Sequence, residues 1–118
     1  MTNRKYIHLH LSQIETPSRH WVVKLNGKDL PLNEHMCFHW GAMTDGAKNL
    51  ALAICKELYP GHEADLHEKF LKDYISKLKD SDIVEVNLDI TEFVRYAQDV
   101  IRIKTFANVE SIEDILPF

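Results

Sequence analysis

Gly41 and Gly46 stand just ahead of Lys48 and a run of helix formers in FHWGAMTDGAKNLALAI, residues 38–54. Glycines and a lysine at a helix start are the ingredients of a phosphate cradle, where backbone N–H groups converge on an anion and the lysine reaches its outer oxygens. The Walker arrangement places the lysine directly after the second glycine and a hydroxyl after the lysine. Here Ala47 intervenes and Asn49 follows. A slip of one residue turns a helical side chain by about 100°, which aims Lys48 away from any cradle. Asp45 would repel an anion as well. The spacing therefore describes a helix start, with Asp45 or Thr44 capping the first-turn amides and Gly46 permitting a tight approach of the chain.

Seven histidines are the second chemical feature. On an extended strand His8 and His10 share one face about 7 Å apart, a spacing from which a metal could be chelated with His20, or with His35, Cys37 and His39. No H-E-x-x-H or C-x-x-C spacing accompanies them, so they read as polar residues facing water and no metal or cofactor is expected. Cys37 shares an extended face with His35 and His39, but nothing in the sequence orients an imidazole base or marks an oxyanion hole. Cys37 and Cys55 read as reduced, partly buried thiols. Two carboxylate pairs, Asp80 with Asp82 and Glu63 with Asp65, fall at element ends, where acids cap helices or face solvent. No catalytic residue is assigned.

These groups must be positioned by a small set of elements. Residues 6–11 alternate, with Tyr6, His8 and His10 on one side and Ile7, Leu9 and Leu11 on the other, which predicts a half-buried strand. Residues 20–25 are β-branched and aromatic and run into Asn26-Gly27, the strongest short-range hairpin signature in the chain. Residues 28–32 are expected to pair back, with Pro31 on an edge. Leu50, Ala53, Ile54 and Leu58 give residues 47–58 a helical stripe, ended by Tyr59-Pro60-Gly61. Leu66, Phe70, Leu71, Tyr74, Ile75 and Leu78 extend a second helix over 63–78, forming a helical hairpin with the first. Residues 83–88 alternate as a strand, with Val84, Val86 and Leu88 on one side. Asp89 is a plausible N-cap for a third helix reaching about Lys104, and the tail SIEDILPF offers a further turn capped by Ser111. Trp40 stands where a large ring can lock the β layer onto the helical layer; Trp21 lies within the second strand.

The 118 residues, 45% of them hydrophobic, suffice for one core, and a single α+β domain over 1–118 is expected. That fold is an antiparallel sheet of three to four strands with the helical hairpin and third helix packed on one face. No apolar run reaches the roughly 20 residues of a membrane span, and the expected location is cytoplasmic. Residues 1–60 carry five acids and seven bases, whereas residues 61–118 carry thirteen acids and seven bases, a net of −6 against +2. An acidic half disfavours direct nucleic-acid binding and suits a basic protein surface.

Phe38, Trp40-Gly41, Gly46 and the Leu50-Ala51-Leu52-Ala53-Ile54 run resemble a family of small bacterial and phage proteins known as a domain of unknown function. Its members read aromatic-x-Trp-Gly, a glycine-rich turn, a Gly-Pro pair and a Leu-Ala-Leu-Ala-Ile helix, then a second helix with a phenylalanine where this chain has Phe70. The chain departs from that pattern at residues 42–45 and at Ala47, which replaces the proline. The resemblance covers residues 38–54 best, 20–78 more weakly, and ends by about residue 90. It implies a helix start at Gly46, and an accessory role in phages or mobile elements such as interference with host defence.

Together these readings favour a non-enzymatic protein that binds and inhibits a host protein or nucleoprotein complex, as an anti-CRISPR does, through an acidic surface. The expected contact residues are Asp65, Glu68, Asp73, Asp80, Asp82, Glu85, Glu110, Glu113 and Asp114. Trp40, Gly41, Gly46, Leu50, Ile54 and Phe70 are expected to be structural. The alternative is a small metal-binding or enzymatic module built on His8, His10, His35, Cys37 and His39. A third reading is a homodimer formed through SIEDILPF.

Overall fold

The structure, a computed structural model, describes the backbone of residues 4–14, 20–30 and 37–115, with side chains for all of these except 14, 20 and 105–115. Strands β1 (Tyr6–Ile14), β2 (His20–Leu25) and β3 (Lys28–Asp29) form an antiparallel meander. Helices α1 (Asp45–Leu58) and α2 (Glu63–Asp73) follow, then a 3₁₀ turn (Ile75–Lys77), β4 (Ile83–Asp89) and α3 (Thr91–Ile115). The sheet order is β3-β2-β1-β4, so β1 is flanked by β2 and by the returning β4. This is the expected α+β architecture.

Alternation in β1 and β4 sorts the sheet into two faces. Leu9 pairs with both Leu25 and Val86, and Leu11 with both Val23 and Val84. Leu9, Leu11, Val23, Leu25 and Val84 are buried together with Leu50 and Ile54 of α1, Leu66 and Phe70 of α2 and Phe93 of α3 in one apolar cluster. His8, His10, Glu85 and Asn87 point to the opposite face, which stays accessible. The β2–β3 turn has φ of 53° at Asn26 and 81° at Gly27. Positive φ at both central positions is what a type I′ hairpin requires, and Asn-Gly supplies it with little strain.

Four boundaries differ from the sequence reading by three residues or more. β1 runs on to Ile14 because it has partners on both sides: Gln13 pairs with Trp21 in β2, and its N–H donates to the Asp82 carbonyl at 2.9 Å. β3 is only two residues long, and Pro31 and Leu32 lie outside the described residues. α2 stops at Asp73, although the apolar stripe continues to Leu78. Tyr74 leaves helical geometry (φ −125°, ψ −59°), its ring packs on Phe70 and Phe93, and its hydroxyl donates to the Asp89 carbonyl at 3.1 Å. Tertiary contacts here override a weak local preference. α3 is continuous to Ile115, because no glycine or proline interrupts residues 91–115.

The Trp40-Gly41 pair joins the start of α1 to the chain leaving α2. Trp40 is 3% exposed and its Nε1 donates to the Ser81 carbonyl at 2.8 Å. The Gly41 N–H donates to the Ile75 carbonyl at 2.9 Å. Gly41 has φ of +83°, and a Cβ there would lie 2.9 Å from the Leu78 carbonyl oxygen and 3.2 Å from the Asp80 Cα. Gly41→Ala therefore meets both left-handed strain, about 1–2 kcal/mol, and backbone that cannot step aside. Gly61 shares the strain at φ +88°, with nothing within 4 Å of a would-be Cβ. Urea unfolding should show Gly41→Ala to be the more destabilising of the two; equal losses would remove the close approach from the account.

Candidate functional site

At the start of α1 the Ala47 and Lys48 amides already have partners. Thr44, at the N-cap, accepts from the Ala47 N–H through Oγ1 at 3.1 Å and from the Lys48 N–H through its carbonyl at 2.9 Å. Thr44 is thus the cap, Asp45 sits in the first turn, and Lys48 is exposed. A Cβ on Gly46 would lie 2.9 Å from His39 Cβ and 3.2 Å from the Phe38 carbonyl carbon. Gly46 lets the first turn of α1 press against the preceding chain.

Of the described histidines named as candidates, His8 and His10 meet at Glu85 and His39 lies apart from them. His8 Nδ1 lies 2.8 Å from Asn87 Oδ1 and its Nε2 3.2 Å from Glu85 Oε1, and these two bonds raise the imidazole above its ordinary pKa. His10 Nδ1 is 3.7 Å from the same Glu85 oxygen. His39 turns instead to Thr44 Oγ1 at 3.3 Å, and Cys37 is exposed with its carbonyl accepting from Asn49 Nδ2. His35 and the His20 side chain lie outside the described residues. Among the described residues no group of three His, Cys, Asp or Glu side chains is arranged to hold a metal ion. Cys55 is fully buried, and burial first, with Glu63 second, pushes its thiol up to about 12. A thiol held that far above neutrality is not a nucleophile.

The expected acidic residues are dispersed. Asp65 is tied to Lys104 on α3 and Asp73 to Lys69 one turn back on α2. Glu85 belongs to the His8 and His10 cluster, while Glu68, Asp80 and Asp82 are exposed. Glu110, Glu113 and Asp114 lie on α3, their side chains outside the described residues. The described side chains comprise thirteen acids and thirteen bases. The formal net charge of −4 therefore sits in Glu15, Glu34, Glu110, Glu113 and Asp114 against Arg19. Among the described side chains, acids and bases are equal in number.

What the fold does bring together is the outer side of β4. Gln13 N–H donates to Asp82 O and Ile90 N–H to Lys5 O, which fixes the hydrogen-bonding parity between β1 and β4. In an antiparallel ladder bonded pairs alternate, so Val84, Val86 and Leu88 direct their backbone groups to β1. The N–H and C=O groups of Ile83, Glu85 and Asn87 point away from the sheet. Among the described residues β4 pairs only with β1.

Alongside that edge runs a groove of about 450 Å³, lined by Tyr74, Leu78, Val84, Val86 and Leu88, with Asp73, Lys77, Lys79, Ile83 and Glu85 at its rim. Its far wall is the chain from Tyr74 to Lys79, pinned by Trp40 and Gly41. Ile83 is 64% exposed, an unusual position for a large aliphatic side chain at a strand edge. The sequence reading places Val84, Val86 and Leu88 on one side of a strand and Tyr74 and Leu78 on the stripe of a helix, with no groove between them. The one clue to their role is that IVEVNLD contains neither lysine nor proline, residues that commonly blunt a sheet edge.

No helix among the described residues is long and apolar enough to cross a membrane. No curated protein and no solved structure gives a significant match to the chain. A family model does match, over residues 14–97, running from the end of β1 into α3 and so past residue 90, where the resemblance is expected to end. That span is well over half the chain, and on this evidence of shared sequence the protein belongs to a family of unknown function, DUF6166.

Proposed function

We propose that this protein acts by binding another polypeptide, without catalysis, and that the contact is strand addition at the edge of β4. The observation that supports the reading most directly is the coincidence of outward backbone groups on Ile83, Glu85 and Asn87, without a strand partner among the described residues, with an apolar-floored groove beside them. An extended segment added to an exposed edge gains affinity from main-chain bonds, and pockets that receive alternate side chains give it selectivity. The equal number of acids and bases among the described side chains favours this edge over a diffuse acidic surface. Within that reading, inhibition of a host protein or nucleoprotein complex is the role that the resemblance to phage and mobile-element proteins suggests.

A photo-crosslinking residue tests the proposal. Ile83→benzoylphenylalanine in cells should give protein adducts, while the same residue at exposed Lys56 on α1 should not. Asn87→Pro, added to the Ile83 variant, should abolish the adducts by removing an outward N–H that β1 does not use. Equal adducts from positions 56 and 83, or none from either, would count against the edge as the contact.

A further inference from the structure

We infer that the strand received by β4 is β4 of a second copy, paired antiparallel about a two-fold axis through Val86. The inference rests on the edge-strand reading above and names the partner.

Hydrogen-bonding parity restricts the register. Ile83, Glu85, Asn87 and Asp89 direct backbone groups outward, the Asp89 carbonyl already accepting from the Tyr74 hydroxyl, so these positions must face one another across the axis. Placing Glu85 on the axis opposes it to its own copy. Placing Asn87 there opposes Glu85 to Asp89. Both registers set like charges directly opposite, which destabilises a strand pair. Centring on Val84 or Leu88 leaves half of the outward residues of β4 without a β4 partner. Centring on Val86 pairs Glu85 with Asn87 and Ile83 with Asp89, and no like charges face each other.

The same register also suits the side chains. On the helix side Val86 meets Val86 and Val84 meets Leu88, continuing an apolar layer that is left half-covered at Val86 and Leu88 in one copy. The groove wall runs antiparallel to β4, with Tyr74 near Asp89 through its hydroxyl and Lys77 and Lys79 near the Ile83 end. A two-fold axis through Val86 therefore brings Lys77 and Lys79 of each copy toward Asp73 of the other. The groove rim, mixed in charge within one molecule, becomes complementary between two. Closed two-fold pairing of this kind is also the commonest way that a soluble protein satisfies an open surface.

Light scattering on the full chain, from micromolar to near-millimolar concentration, tests the inference. The expected result is a dimer, reduced to a folded monomer by Asn87→Pro. Asn87→Glu, which sets a new carboxylate opposite Glu85 of the other copy without touching the backbone, should weaken the dimer about tenfold, and Asn87→Lys should not weaken it. This charge pair of variants gives the answer even if the proline variant does not fold. A wild-type chain that stays monomeric overturns self-pairing, while the edge-strand reading survives if Ile83→benzoylphenylalanine still crosslinks a different protein. A dimer indifferent to every change at residue 87, and lost on deleting residues 111–118, overturns self-pairing through β4, and the edge-strand reading falls with it if Ile83→benzoylphenylalanine gives no adduct.

Discussion

Trp40→Ala should lower stability by about 3–5 kcal/mol, the usual cost of truncating a large buried aromatic. That is a large share of the roughly 5–15 kcal/mol by which a small domain is stable, and on the order of 10–20 °C in melting temperature. Two effects combine at this position. The indole is 3% exposed within the main apolar cluster, so its removal leaves a cavity that the start of α1 cannot collapse to fill. Its Nε1 also holds the Ser81 carbonyl, and with it the turn into β4. Trp40→Phe separates the two, keeping most of the ring and losing the bond, and should cost about 1–2 kcal/mol more than a well-tolerated core swap. Urea denaturation followed by far-ultraviolet circular dichroism measures both. An unchanged midpoint for Trp40→Ala would show that the ring is not buried in solution.

The second large effect is expected at Phe70, which is fully buried and lies at the centre of an aromatic cluster. Its ring centroid is 5.0 Å from that of Tyr74 and 5.1 Å from that of Phe93, the latter edge-to-face. Phe93 in turn meets Tyr59 at 6.1 Å, so the rings join the end of α1, α2, the chain after α2, and α3. Phe70→Ala should cost about 3–5 kcal/mol from burial and cavity terms. A double-mutant cycle with Phe93→Ala should show about 0.5–1.5 kcal/mol of coupling beyond simple addition, the magnitude expected of an edge-to-face pair. Strict additivity would mean that the two rings are held apart by their own elements and do not stabilise each other directly.

Much of this fold is legible in the sequence wherever a local rule decides the outcome. Period-two alternation marks β1 and β4 and assigns the correct residues to each face, because one face is buried and the other is not. Asn26-Gly27 marks its hairpin because few other residue pairs tolerate positive φ twice in succession. Thr44 and Gly46 mark a helix start because Thr44 caps the first turn and Gly46 lets that turn press on the chain only seven or eight residues before it. Legibility fails where distant contacts decide. Tyr74, Ile75 and Leu78 keep helical spacing, yet the Asp89 carbonyl and the ring of Phe93 draw Tyr74 out of the helix. The groove is hidden for the same reason. Its residues are apolar and periodic, and only the position of β4 at the end of the sheet leaves them beside an unpaired edge. The acidic half is legible as a net charge but not as a pattern of pairing: Lys69 meets Asp73 and Lys104 on α3 meets Asp65 on α2, so two of its carboxylates already have partners.

The order of strands also has a consequence for synthesis. The strand that ends up flanked on both sides is made first, and its last neighbour is made late: Ile7 pairs with Leu88, 81 residues further on. Such distant pairing incurs its loop-closure entropy before any contact offsets it, which slows folding. While translation proceeds, the side of β1 that will face β4 must wait unpaired until residue 89 has cleared the ribosome. A polypeptide halted anywhere in α1 or α2 would thus be a substrate for chaperones, with no route to a finished sheet.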